Sequence, residues 1–124
     1  MSAAAAYGCV LLTVLFTVYG QFAIKWQVMR SPPLPSGLPE ISAYLLQLLI
    51  SPLVISGIAA AFLASLAWML ALTRLQLNHA YPMTTLTLVC VVLGSGWLFG
   101  EPINALKLVG VALIVAGILI GSQG

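Results

Sequence analysis

The stretch "ISAYLLQLLISPLVISGIAAAFLASLAWMLAL", Ile41 to Leu72, runs for 32 residues without a charged side chain. As one helix it would be about 48 Å long, well beyond a membrane hydrocarbon core of about 30 Å. Pro52 disfavours helical geometry at Ser51, which divides the stretch in two. We expect a short interfacial helix over 41–50 and a membrane-crossing helix over 53–73; one kinked and tilted helix is the alternative.

The rest of the chain is similarly apolar. Of its 124 residues, 62% are hydrophobic and 5% are charged, whereas a soluble domain carries about 25% charged residues. The surface must therefore face lipid. Three further apolar runs, at about 4–26, 80–99 and 102–121, are long enough to cross a membrane. The pattern predicts an all-α integral membrane protein, a single membrane domain over 1–124 with four transmembrane helices and a proline-rich first loop, Ser31 to Pro39.

Composition also excludes several function classes. A net charge of +2 without a basic patch argues against a nucleic-acid partner. Cys9 and Cys90 lie far apart inside apolar runs, which favours packing over a disulfide or a metal site. One histidine and two carboxylates are too few for hydrolytic or redox chemistry, so we expect no enzyme, no cofactor and no metal.

Small residues mark the last predicted helix as a packing surface. Its sequence "GVALIVAGILIG" carries Gly110, Gly117 and Gly121, and small residues allow close approach between helices in lipid. The surface serves either packing inside one bundle or a dimer seam. Because four helices hardly enclose a transport pathway, we expect any transporter built from this chain to work as a dimer or beside a partner.

A polar row follows the first predicted helix toward its charged end. Thr13, Thr17, Gln21 and Lys25 recur every four residues and share a helix face, with Tyr19 beside them. The threonines can bond to their own helix, but the Gln21 amide needs a partner in hydrocarbon. Lys25 either extends its ammonium to the headgroups or faces a cavity, where it offers three donors to an anionic group such as phosphate.

The third and fourth predicted helices add two candidate residues. Tyr81 lies near the membrane surface, with Pro82 expected in the first turn of the third helix. Glu101 follows Gly100, which should end that helix. The carboxylate is either a polar helix stop favoured by the dipole of the next helix, or a functional group that pairs with a cation or takes a proton.

With these residues in view, Leu70 to Ser122 resembles the last two helices of the drug/metabolite transporter superfamily. The shared features are a short turn before the third helix, a Gly-Glu end to that helix and a glycine-rich final helix. Four crossings and this length are similar to two of its branches. One is the small multidrug resistance pumps, and the other is the subunits that flip aminoarabinose-bearing undecaprenyl phosphate.

The first helix distinguishes the two branches. Multidrug pumps place a glutamate midway along it, whereas Val10 to Gly20 contains no carboxylate here. Instead "GQFAIKW", Gly20 to Trp26, resembles the pattern that closes the first helix of the flippase subunits. That resemblance implies that Gln21 and Lys25 lie near the phosphate of a polyprenyl lipid. The long proline-rich loop departs from the shorter connections of the usual small transporters.

Together these observations predict a bacterial inner-membrane transporter that flips a polyprenyl-phosphate-linked sugar or a similar amphiphilic anion. It would act as a homodimer or as a heterodimer with a similar small subunit. The candidate substrate-binding residues are Lys25, Gln21, Thr17, Tyr19 and Tyr81. Glu101 would be a structural or coupling carboxylate. The alternatives are a proton-coupled exporter with Glu101 as the titrating group, and a non-transporting accessory subunit of a larger membrane complex.

Overall fold

Helices dominate residues 2–124, the part of the chain that the computed structural model describes. In that part the chain forms no strand, which confirms the all-helical class. The helices are α1 (Ala3–Arg30), α2 (Leu38–Ile50), α3 (Pro52–Leu72), α4 (Leu77–Met83), α5 (Leu86–Phe99) and α6 (Ala105–Gly121).

Three helical segments of the described residues are long and apolar enough to cross a membrane. They are α1, α3 and the continuous segment Leu77–Phe99 formed by α4 and α5. Helix α6 has 17 residues and would rise only about 26 Å. Three of the four expected crossings therefore coincide with candidate membrane spans, and the crossing by α6 stays a prediction.

The division at Ser51 follows the sequence pattern. Ser51 has an extended backbone, with ψ of 138°, between α2 and α3, and Pro52 occupies the first turn of α3. Two separate helices thus form instead of one kinked helix. Helix α2 begins earlier than expected, because Pro39 is accommodated in its first turn, where a missing N–H costs no hydrogen bond. This shortens the proline-rich loop to 31–37.

Two other helix boundaries differ from the expectations. Pro82 lies inside α4 instead of in its first turn, because the helix already begins at Leu77. After Pro82 the backbone bonds span three residues instead of four, as from the Thr85 N–H to the Pro82 carbonyl oxygen, and the chain turns at 84–85 before α5 begins. Helix α6 begins at Ala105, because the Asn104 side chain caps it by accepting a bond from the Lys107 N–H at 2.9 Å.

The tightest packing in the chain joins α1 and α3. A Cβ built on Gly20 would lie 3.0 Å from the Gly57 carbonyl oxygen, so the two backbones meet without side chains between them. Such close approach is how small residues hold helices together in lipid. The buried residues of this α1/α3 seam are Ala6, Val10, Val14, Gly20 and Ala23 on α1, and Val54, Gly57, Ala60, Ala64, Ala67 and Ala71 on α3.

Aromatic side chains attach α5 to the second half of α1. The Phe22 ring occupies the space above Gly94, where any Cβ would collide with it. The Phe99 ring meets those of Phe22 and Trp26 with centroid distances of 5.9 and 6.0 Å. Tilted and edge-on pairs of this kind are favourable beyond the area they bury. The end of α5 is thereby held beside the basic end of α1.

Candidate functional site

An ion pair joins the end of α1 to the loop between α5 and α6. Lys25 Nζ lies 3.4 Å from Glu101 Oε1, and the two side chains are 48% and 42% exposed. Charge-assisted hydrogen bonds are usually shorter, about 2.7–2.9 Å. The pair is therefore loose, and both groups are accessible from outside the chain.

The chain reaches this geometry through a sharp turn after α5. Gly100 ends the helix in the left-handed conformation, with φ of 65°, which glycine adopts without steric cost. That confirms Gly100 as the expected helix stop. Ile103 then folds back over Gly96, where a Cβ would collide with the isoleucine side chain. These two glycines allow Glu101 to follow the helix closely instead of extending away from it.

A second ammonium, that of Lys107 in the first turn of α6, reaches back to the same loop. Lys107 Nζ donates a hydrogen bond to the Pro102 carbonyl oxygen at 3.1 Å, immediately beyond Glu101. The sequence reasoning did not select Lys107 as a site residue. A signal was available, because a cation in the first turn of α6 opposes the helix dipole. A lysine at that position therefore indicates a role other than stabilising the helix.

Glu101 and Lys107 lie at the polar end of a groove between α5 and α6. The groove has a volume of about 350 Å³, and Gly110 contributes to its lining. Most of the lining is apolar and comes from Leu88, Val91, Val92, Ile103, Val111 and Ile114. A charged end beside an apolar channel matches the shape of an amphiphile with an ionic headgroup.

Two other predicted site residues share a different cavity. Thr17 and Tyr81 line a crevice of about 350 Å³ between α1, α3 and α4, together with Trp68 and Ser65. The Thr17 hydroxyl donates to the Thr13 carbonyl oxygen at 2.7 Å. That bond satisfies the hydroxyl within its own helix, as the sequence pattern allowed for the threonines of the polar row.

The remaining two candidates face outward. The Tyr19 hydroxyl and Ser56 Oγ lie 2.8 Å apart on an exposed side of α1 and α3. Gln21 is exposed one turn before Lys25. The structure thus brings Lys25 together with Glu101, and Thr17 together with Tyr81. It places Tyr19 beside Ser56 and leaves Gln21 on the surface.

The glycines of α6 face open space. A Cβ added to Gly110, Gly117 or Gly121 would meet no atom within 4 Å among the described residues, and α6 has no buried residue. Packing inside this chain does not use these glycines. The dimer-seam interpretation stays a prediction.

Comparison with known proteins gives relatives that cover most of the chain. Three proteins named "Probable 4-amino-4-deoxy-L-arabinose-phosphoundecaprenol flippase subunit ArnF" are similar to it. The one from Pseudomonas fluorescens is 34% identical over 121 residues, which cover 96% of this chain and 88% of that protein. The one from Erwinia tasmaniensis is 36% identical over 111 residues, 87% of each chain. The one from Sodalis glossinidius is 32% identical over 123 residues, 92% of this chain and 88% of that protein.

No family model matches the chain. No solved structure matches it.

Proposed function

The chain belongs to the ArnF family of flippase subunits, and we propose that it flips an aminoarabinose linked through phosphate to a polyprenol. It is a multi-pass protein of the bacterial inner membrane. The relatives are named for this lipid class, and the sequence of the first helix favours the same class over cationic drugs.

One observation carries the proposal: the charged cluster formed by Lys25, Glu101 and Lys107 adjoins an apolar groove. The phosphate of a membrane lipid lies at headgroup level, while its polyprenyl tail stays in hydrocarbon. A site for such a lipid needs a cation near the interface and an apolar channel below it. The cluster and the groove supply these two parts at one end of the molecule.

Lys25 is proposed to contact the phosphate, with Gln21 one turn earlier on the same helix. The Lys25 ammonium has three donors, and the loose contact with Glu101 at 3.4 Å leaves it able to accept a stronger anionic partner. A phosphate oxygen would form shorter charge-assisted hydrogen bonds than this contact.

A second subunit is proposed to complete the transporter. The relatives are named as subunits, and the open glycines of α6 support a helix–helix contact with a similar small chain, of the same or a different kind. Helix α6 is proposed as the fourth crossing, since its 17 residues are at the short end of what spans a bilayer with local thinning.

The proposal is tested by replacing Lys25 and measuring lipid flipping in proteoliposomes that contain the complete transporter. Lys25→Ala should reduce flipping at least about tenfold, the loss expected when a charged hydrogen bond is removed. Lys25→Arg should keep part of the activity. The matched control is Arg74→Ala, which removes a cation that follows the carboxyl end of α3. Normal flipping by Lys25→Ala in correctly assembled protein would reduce Lys25 to an interfacial anchor.

A non-transporting accessory role is the second candidate, because helix α6 has no buried residue in this chain. Reconstitution separates the two possibilities. If this chain alone neither binds nor flips the lipid, and the partner subunit alone flips it as fast as the complex of the two does, the accessory role holds.

A further inference from the structure

A carboxylate is an unexpected component of a phosphate site. Glu101 pairs with one ammonium group, since Lys25 Nζ is 3.4 Å from its Oε1, and a second ammonium is near in the chain, since Lys107 Nζ bonds to the adjacent Pro102 carbonyl at 3.1 Å. A negative charge there opposes a phosphate and weakens its binding. A site that recognised only phosphate would be stronger with a neutral residue at this position.

The lipid proposed above supplies a partner for that carboxylate. Its phosphodiester carries a negative charge, and its 4-amino group is an aliphatic amine that is protonated near neutral pH. The headgroup is therefore a zwitterion, with the two charges separated by a single sugar ring. The cluster of Lys25, Glu101 and Lys107 holds the complementary set of charges.

We propose that Glu101 selects amine-bearing headgroups by binding the sugar ammonium, while Lys25 and Lys107 hold the phosphate. This inference rests on the proposed function and adds to it the residue that determines headgroup specificity. When the lipid enters, Lys25 exchanges the carboxylate for phosphate, and Glu101 exchanges Lys25 for the sugar amine. After the exchange Lys25 faces the phosphate and Glu101 faces the sugar ammonium, so neither member of the original ion pair is left without an opposite charge.

The geometry of the charged cluster suits such an exchange. Both members of the ion pair are nearly half exposed, so the lipid can reach them without a rearrangement of the helices. Glu101 and Lys107 also line the same groove, which places the tail next to both charges. A headgroup without the amine would leave Glu101 facing a phosphate, and this repulsion rejects it.

The test compares two synthetic lipids that differ only in the amine. One is polyprenyl phosphate 4-amino-4-deoxyarabinose, and the other is its N-formyl derivative, which has no positive charge. Binding to the full-length protein in nanodiscs, with its partner subunit present, is followed by tryptophan fluorescence, since Trp26 adjoins Lys25. Wild-type protein should prefer the amine lipid by about tenfold, the effect of one charged hydrogen bond.

Variants then assign the preference to a residue. Glu101→Gln should lose the preference while binding the N-formyl lipid at least as tightly as wild type does, a result that a misfolded protein would not give. Glu101→Asp should retain part of the preference. Lys107→Ala should weaken both lipids by the same factor. Glu40→Gln, which changes the other carboxylate of the chain, exposed at the start of α2, should preserve the preference.

Two outcomes overturn the inference and one overturns its premise. If wild-type protein binds both lipids equally and flips both, the specificity role of Glu101 fails and the proposed function stands. If Glu101→Gln keeps the wild-type preference, another group recognises the amine. If wild-type protein binds neither lipid, the proposed function itself fails.

Discussion

The α1/α3 seam and the open glycine face of α6 use similar residues with opposite results. Gly20 and Gly57 meet each other's backbone within the chain, whereas Gly110 and Gly117 meet nothing within 4 Å. Small residues on a membrane helix therefore indicate that something approaches closely, but not whether it comes from the same chain. In this protein one glycine surface is filled by the fold, and the other is left open for a ligand or a second subunit.

The difference arises from what surrounds each surface. On α3 the alanines 60, 64, 67 and 71 continue the stripe begun by Gly57, and all of them are buried against neighbouring helices. Helix α6 has similar small residues, yet its contacts with α4 and α5 are sparse and none of its residues is buried. The first surface should therefore control folding, and the second should control assembly and binding.

Gly57→Leu should give the largest effect on stability. A Cβ at this position would lie 3.2 Å from the Gly20 carbonyl oxygen and 3.4 Å from Ala23 Cβ, so the two helices must separate. We expect the free energy of unfolding in mixed micelles to fall by about 2 kcal/mol or more. Gly8→Leu on α1 is the control, because a Cβ there meets no atom within 4 Å. Equal losses for both variants would show that the seam does not hold the fold.

Gly117→Leu should separate assembly from folding. Because a Cβ at this position meets no atom of the chain within 4 Å, the unfolding free energy should change by less than about 0.5 kcal/mol. The association constant between subunits, measured by energy transfer in liposomes, should fall at least about tenfold. If unfolding changes as much as in Gly57→Leu, α6 packs within the chain and the contrast between the surfaces disappears.

Thr13→Val should have the smallest effect. Thr13 Oγ1 makes a long contact of 3.4 Å across the seam to the Ala64 carbonyl oxygen, and a shorter bond of 2.8 Å to the Cys9 carbonyl oxygen of its own helix. Because the shorter bond is local, unfolding free energy should change by about 0.5 kcal/mol or less. Ser65→Ala, whose hydroxyl bonds to the Ala61 carbonyl oxygen, is the matched control. A clearly larger loss for Thr13→Val would mean that hydrogen bonding across the seam matters as much as packing.

Local chemistry made several features predictable. Pro52 displaces Ser51 from the helix whatever surrounds it, and glycine is the residue best suited to the left-handed turn found at Gly100. The apolar runs likewise predict helices, because backbone groups in lipid must bond within their own segment. The sequence pattern did not predict that Pro39 lies in the first turn of α2 or that Asn104 caps α6. Several residues near each of these boundaries are suited to begin the helix.

Which of the site residues lie together in the fold was harder to predict from the sequence. Lys25 and Glu101 were each singled out, but their pairing depends on how the Phe22, Trp26 and Phe99 rings hold α5 against α1. Lys107 was overlooked because its relation to Glu101 depends on the fold of a short loop. Residues with these identities could have lain on different sides of the molecule.

The sequence by itself determined that this chain is helical and stable in lipid. Its few charges and the length of its apolar runs decide this, because they set the solvent in which a chain is stable. Only the tertiary structure decided which of the small-residue surfaces closes within the chain and which charges meet at the groove. Helices of similar apolar character exchange neighbours at little hydrophobic cost in a membrane. Their arrangement therefore depends on the fit between specific side chains, which no periodicity along one helix records.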